Sequence, residues 1–579
     1  MIASSRIRRG NPRSVAVVCV MLLLLVVCLP GSYGESLKPP RSPREILTLG
    51  ERMYRDGILP SGEAVQAFVK EDLPVAGTAF SCESCHMRSG LGSLEGGVVT
   101  PPTNGASLFQ PYRVLFKGLE QKYFPFPPRR PAYNETSLAE VIRSGTSPAG
   151  GVLNDVMPRY LLENEDMAIL ITYLKSLSAR FSPGVSDTTL RFATVITDDV
   201  SQEDRDAMLA NMERYIHIKN SQAKTYQSPG SRSRQMAENM LVSKELATRT
   251  LTLSRWVLKG PSQTWRSQLE EYYRKEPVFA LLGGIAKGEW RVIHQFSEDN
   301  RIPCIFPQTD FPVISATDWY TLYPSKGFYQ EGEAAARYLS SREDIAADRP
   351  IVELVRDSRE GEALSAGFEQ TWRDTGHQDV QTIRLKADEK ITASFIKQLL
   401  VTVKPAAILL WDGSATPPAL ELLAAAADKP KLVFVSSRYL GTGLRMLPEQ
   451  AREFTYITFP YSFARKVIKS SMGSIEVEDD EQWSIPLADI AVHDRAHNIP
   501  KLSNSTIQLI TMALMDMRGN YYRDNLLDVI SMVPDQPSPV YARLSFGPGQ
   551  RYASKGCYIV QLGNGSQPEI IRKSAWVIH

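Results

Sequence analysis

Apolar side chains at Ile46, Leu49 and Met53 recur at three- and four-residue intervals, which puts them on one face of a helix. Gly50 and Tyr54 lie on the neighbouring stripe, where a missing side chain lets a second helix approach. A matching partner is expected over 164–177. Asn164 is a fair N-cap, Glu165 and Asp166 suit the first turn, and Met167, Leu170, Ile171, Leu174 and Leu177 form the apolar face. Residues 59–80 are long for a plain connection, and a helix is expected at 63–69. Turn formers then predict a linker at 181–189. Beyond it, strands are expected at 190–197, 249–258, 278–283, 302–306, 351–355, 380–385, 407–411 and 432–436. Helices alternate with them at 202–217, 265–274, 290–296, 330–339, 362–375, 392–403 and 417–427. This alternation implies parallel sheets joined by crossover helices. The stretch 190–579 is too long for one such sheet, so two lobes are expected.

The N-terminus carries a different pattern. Arg6, Arg8, Arg9 and Arg13 precede an apolar run from Val15 to Leu29, Pro30 breaks it, and Ser32-Tyr33-Gly34 offers the small residues of a cleavage site. The reading is a secretory signal over 1–34, with Glu35 the first mature residue and an uncleaved membrane anchor as the alternative. The run is shorter than the roughly 20 residues of a spanning helix. No later stretch is long and apolar enough to cross a bilayer, so the mature chain is not expected to span one. A net charge of +2 shows no nucleic-acid or anionic-membrane footprint. Of six cysteines, two fall in the signal, and Cys304 and Cys557 read as buried thiols rather than a bridge.

The remaining pair stands in Cys82-Glu83-Ser84-Cys85-His86, the C-x-x-C-H spacing of covalent haem attachment. Two thiols three positions apart can add across the two vinyl groups of one porphyrin, and the imidazole that follows is held beneath the iron. A zinc site needs further Cys or His nearby, and none occurs between His86 and His217. Haem c is therefore the cofactor expected, with His86 as proximal ligand. For the opposite face the region offers no second His. Met87 adjoins the proximal ligand and Met167 is needed on the helix stripe. Met157, in a loop before the second helix and followed by Pro158, is the candidate. The alternative is a Met packed on the haem edge over five-coordinate iron. In the class I cytochromes c that this motif resembles, a Pro carbonyl after the motif accepts the imidazole N–H, which implies Pro101 or Pro102 in that role. Arg113, Arg159 and Tyr160 are conceivable propionate partners, each more often a surface or packing residue.

The motif between two packing helices resembles the small, all-α class I cytochrome c fold over 35–180. That resemblance implies one-electron transfer, a redox partner protein and assembly outside the cytoplasm. Residues 190–579 resemble a type I periplasmic binding protein, the fold of branched-chain amino acid receptors. The likeness is carried by the phrase 278–284 with its Gly283-Gly284 turn, the Pro-flanked 301–307, 323–335 and the closing strand 558–562. It implies a small solute bound between two lobes. The ligand-facing loops keep Thr309 as their hydroxyl, and Asp310 would repel a carboxylate, so an α-amino acid is a poor fit. Strand-end candidates for a ligand are Gly284, Thr309, Asp310, Asp357 and Asp412; capping of loops or helices is the alternative for the last two. No hydrolase, nucleotide or metalloprotease motif occurs. His493 and His497 read as surface residues of a polar loop, and 231–234 as a solvated insertion. The expected function is that of an exported monohaem cytochrome with a solute-binding or partner-docking module. A haem- or solute-responsive sensor without sustained electron flow is the alternative.

Overall fold

The computed structural model describes residues 41–578 apart from 71, 96–97, 112–129, 228–248, 289, 346–348, 379, 464–465, 471–472, 478–482 and 490–494. The signal, Arg113, His493 and the 231–234 stretch lie outside the described residues.

The N-terminal domain opens with α1 (Pro43–Asp56), where Ser42 caps the first turn and Gly57, at φ 65°, closes the last. Strands β1 (Gln66–Val69) and β2 (Leu73–Ala76) follow, then the five-residue helix α2 (Cys82–His86) and the hairpin β3–β4 (Ser93–Glu95, Val98–Thr100). Helix α3 (Glu135–Ser144), strand β5 (Arg159–Leu161) and α4 (Asn164–Ser176) complete it. As the stripes require, α1 packs on α4. A Cβ on Gly50 would meet Tyr173 Cβ at 2.5 Å, so only glycine permits the crossing. Two expectations fail here. Residues 63–69 do not form a helix: β1 pairs with β2 on one side and with β5, over ninety residues later, on the other. The domain is accordingly not all-α. Local sequence could not reveal a strand whose second partner is so distant.

The linker is not loose. Gly184 at φ 89° lies where a Cβ would meet Phe279 N at 2.1 Å, and Ser182 Oγ accepts from the Arg523 amide at 2.9 Å. The second module then builds two sheets. The first holds β6 (Thr189–Thr197), β7 (Thr250–Leu258), β8 (Ala280–Leu282), β9 (Cys304–Ile305) and β10 (Thr321–Leu322) in the order β10-β9-β8-β6-β7, all parallel. Its helices are α5 (Gln202–Gln227), α6 (Trp265–Lys275) and α7 (Arg291–Asp299). After α8 (Phe328–Ser340), the second sheet begins with β11 (Ile351–Arg356), β12 (Gln381–Leu385), β13 (Ala407–Trp411), β14 (Val433–Ser436) and β15 (Thr455–Phe459). These five are parallel in the order β12-β11-β13-β14-β15, interleaved with α9 (Arg359–Asp374), α10 (Ala393–Gln398) and α11 (Thr416–Ala424).

The chain then returns to the first lobe through α12 (Arg495–Asp516), which packs on α5, and α13 (Arg523–Ser531). It crosses back to add β16 (Gly556–Leu562) antiparallel to β15. The second module is thus a two-lobed α/β structure in which neither lobe is one continuous stretch. Residues 495–500, expected as a polar loop, are helical. The buried stripe Ile499, Ser503, Thr506, Ile510 and Leu514 overrides the local polarity and even Pro500.

Candidate functional site

Two concavities hold the chemistry. The first is a cavity of about 440 Å³ in the N-terminal domain, walled by Phe80, Cys82, Cys85, His86, Met157 and Tyr160 among others. Helix α2 carries the motif as one turn, so both thiols and the imidazole project from a single rigid element. His86 is 5% exposed and its Nδ1 lies 2.7 Å from the Pro101 carbonyl oxygen. A carbonyl can only accept, so Nδ1 carries the hydrogen and Nε2 keeps the lone pair. Burial pushes the imidazole down to about 4 against the opposing Pro101 bond, so it is neutral. Burial also pushes the Cys82 thiol up to about 12, while Cys85 is exposed.

Met157 lines the same cavity from the loop preceding β5. Arg159 staples that loop, donating to the Met157 carbonyl at 2.5 Å and the Leu153 carbonyl at 3.0 Å. Tyr160 donates to the Phe80 carbonyl at 2.7 Å. Both side chains are thus spent on backbone rather than offered to a propionate. Sequence reasoning missed Arg130, which stands over the Tyr133 ring at 4.1 Å on the cavity wall.

The residues fit a covalently held haem. The space lies within the roughly 300–1,000 Å³ of cofactor sites, the walls are largely apolar, and two thiols flank an oriented neutral imidazole. Among the described residues no group of three or more His, Cys, Asp and Glu is arranged for a metal ion. A porphyrin needs none, because its macrocycle supplies four ligands and the protein two.

The second concavity, about 200 Å³, lies between the lobes and is lined by Gln308, Thr309, Asp310, Arg438, Tyr461 and Tyr541 among others. Of the five strand-end candidates, Thr309 and Asp310 stand on its wall. Thr309 Oγ1 donates to the Gly288 carbonyl at 3.1 Å, and Asp310 Oδ1 accepts from Arg438 at 3.0 Å. Gly284, Asp357 and Asp412 do not line it. Gly284, at φ 98°, makes the turn against Trp290 and Val195. Asp357 is exposed at the end of β11. Asp412 is buried and accepts from Arg356 at 2.5 Å, and Arg356 also donates to the Glu389 carbonyl at 2.6 Å. The pair fastens a loop.

Arg438, on the helical turn after β14, is the group the sequence did not flag. Besides Asp310 it faces Glu331 at 3.7 Å. Burial pushes the Glu331 carboxyl up to about 7, while Arg438 and the Thr458 hydroxyl, donating at 2.8 Å, act the other way.

No family model and no curated protein matches the chain. It is similar to solved structures of transporter solute-binding proteins. A fatty acid ABC transporter substrate-binding protein from Thermomonospora curvata is 13% identical, covering 69% of this chain and 95% of that one, with a TM-score of 0.39. A solute-binding protein from Rhodopseudomonas palustris BisB5, in complex with 3,4-dihydroxybenzoic acid, is 13% identical over 68% of this chain and 98% of that one, TM-score 0.39. A leucine-binding protein from Thermotoga maritima is 12% identical over 67% and 99%, TM-score 0.40.

Proposed function

We propose that the chain is an exported c-type cytochrome joined to a solute-binding module of the type I periplasmic binding protein kind. The observation that carries the reading is the conjunction of Cys82, Cys85, Met157 and a Pro101-oriented His86 around one cavity. Haem bound there supplies one-electron chemistry at iron. Cys82 and Cys85 would tether the porphyrin, and the Pro101 carbonyl fixes the ring and tautomer of His86 so that Nε2 keeps its lone pair for the iron. Met157 would be the second protein ligand to the iron, and Arg159 keeps its loop in place. A His/Met pair raises the potential relative to two histidines.

Purified mature protein is expected to give one pyridine haemochrome per chain that stays with the polypeptide in acidified butanone. Pigment released into the organic phase overturns the haem c reading. Met157→Ala is expected to abolish the weak far-red Met–iron band. Carbon monoxide binding by the untreated reduced protein would show an open sixth position and favour the sensor reading. For the cleft, a solute present at 100 times its dissociation constant should stabilise the fold by about 2.7 kcal/mol. Silence across amides, sugars and aromatic acids leaves partner docking as the module's role.

A further inference from the structure

Asp528 lies on α13, 6% exposed, and its carboxylate reaches from the second module into the peptide that follows His86. Its Oδ2 accepts from the Ser89 amide at 2.7 Å and its Oδ1 from the Arg88 amide at 3.3 Å. The neighbouring carbonyls of that turn are held as well. Tyr54 donates to Met87 O at 2.8 Å, Ser178 Oγ to Ser89 O at 2.7 Å, and the Gly92 amide to His86 O at 3.0 Å. Met87 sits at φ 64°, a left-handed conformation that a side-chain-bearing residue keeps only when its surroundings impose it. Helix α13 is itself anchored in the first lobe. Arg523 donates to the carbonyls of Phe279 at 3.1 Å, Val278 at 2.5 Å and Asn300 at 3.1 Å.

We propose that Asp528 is a positioning residue through which the second module holds the haem-bearing turn and sets the reduction potential of the haem. This rests on the haem reading above. The charged and titratable groups facing it are Asp524 on α13, Glu83 on α2, Arg88 after it, Tyr54 on α1 and Arg551 from the segment before β16. Arg55 pairs with Asp524 at 2.8 Å, and the Arg88 guanidinium lies over Trp319 at 4.4 Å.

Burial pushes the Asp528 carboxyl up to about 7, against the Ser89 bonds that favour its charge. Its charge therefore changes near neutral pH. A carboxylate on this turn favours the oxidised, more positive site, and its protonation favours the reduced one. One electron from a donor protein then arrives with one proton from solvent, taken up at Asp528, and the potential falls as pH rises.

The test is the midpoint potential of full-length holoprotein between about pH 6 and pH 8, the window around a carboxyl titrating near 7. Unsubstituted protein should show a falling potential. Asp528→Asn, which mimics the protonated acid, should be higher at the alkaline end and nearly flat. A flat profile in the unsubstituted protein, or an unaltered slope in Asp528→Asn, overturns the proposal. Should Asp528→Asn fail to accumulate, Asp528→Glu keeps the charge but misplaces it, and a potential unchanged from the parent would overturn the proposal equally. A chain without haemochrome fails the earlier reading instead, so the two failures are distinguishable.

Discussion

Around Cys82 the walls are carbon and backbone: Phe80, Val98, Val152 and Pro158, with polar atoms turned onto carbonyls. Around Arg438 the charges already answer one another: Asp310 stands beside it on the wall, and Glu331 is buried behind it. The first arrangement leaves a largely apolar space of about 440 Å³. The second leaves a space of about 200 Å³ in which two carboxyls face one guanidinium. On the proposed reading the first gains its contents by covalent tethering and apolar burial, whereas the cleft must select by hydrogen bonding beside charges that are already paired.

The largest expected contrast comes from removing the tethers. Cys82→Ala with Cys85→Ala should abolish retained haem and lower the thermal midpoint sharply. Thr309→Val in the cleft should move stability by less than about 1 kcal/mol, as surface-like substitutions do. Equal losses in the two variants would show that the N-terminal cavity is not filled by a tethered group. Next, Arg438→Met leaves Glu331 buried without its counter-charge and should cost about 3 kcal/mol in urea unfolding, the lower end for a broken buried pair because Asp310 keeps some water. A neutral result would mean that the cleft charges are not coupled. Gly184→Ala, at the joint between the two regions, should cost about 1–3 kcal/mol, from a positive φ and a Cβ that has no room.

The smallest effect is a pH slope. Glu331 titrates near 7 because it is buried. A carboxyl raised in the folded state adds stability below its ordinary range, and that stability is lost as pH rises through about 7. Glu331→Gln should therefore flatten part of the decline in thermal midpoint between about pH 4.5 and pH 7. An undiminished slope would place the titration elsewhere, for instance at Asp528.

The contrast also explains what the sequence disclosed. The motif, the α1 and α4 stripes and the parallel strands were legible because each is written within one short segment. Met157 and Pro101 could be proposed because they share a domain with the motif. The cleft was half legible. Thr309 and Asp310 follow a strand end and stand on its wall, yet Asp357 and Asp412 follow strand ends too and do not. What separates them is the partner: Arg356 captures Asp412, whereas Arg438 reaches Asp310 from another lobe. Gln308, Tyr461 and Tyr541 converge from three parts of the chain, and no local pattern announces such a meeting. The strand at Gln66–Val69 was missed for the same reason, since β5 completes it.

The contact between Arg55 and Asp524 joins residues 469 positions apart. During synthesis the turn behind His86 therefore emerges long before the helix that grips it. The turn meets its grip only once all ten parallel strands of the two sheets have been made, with the antiparallel strand Gly556–Leu562 still to come. Formation of the turn and its final fastening are thus separated in time by the order of the polypeptide itself.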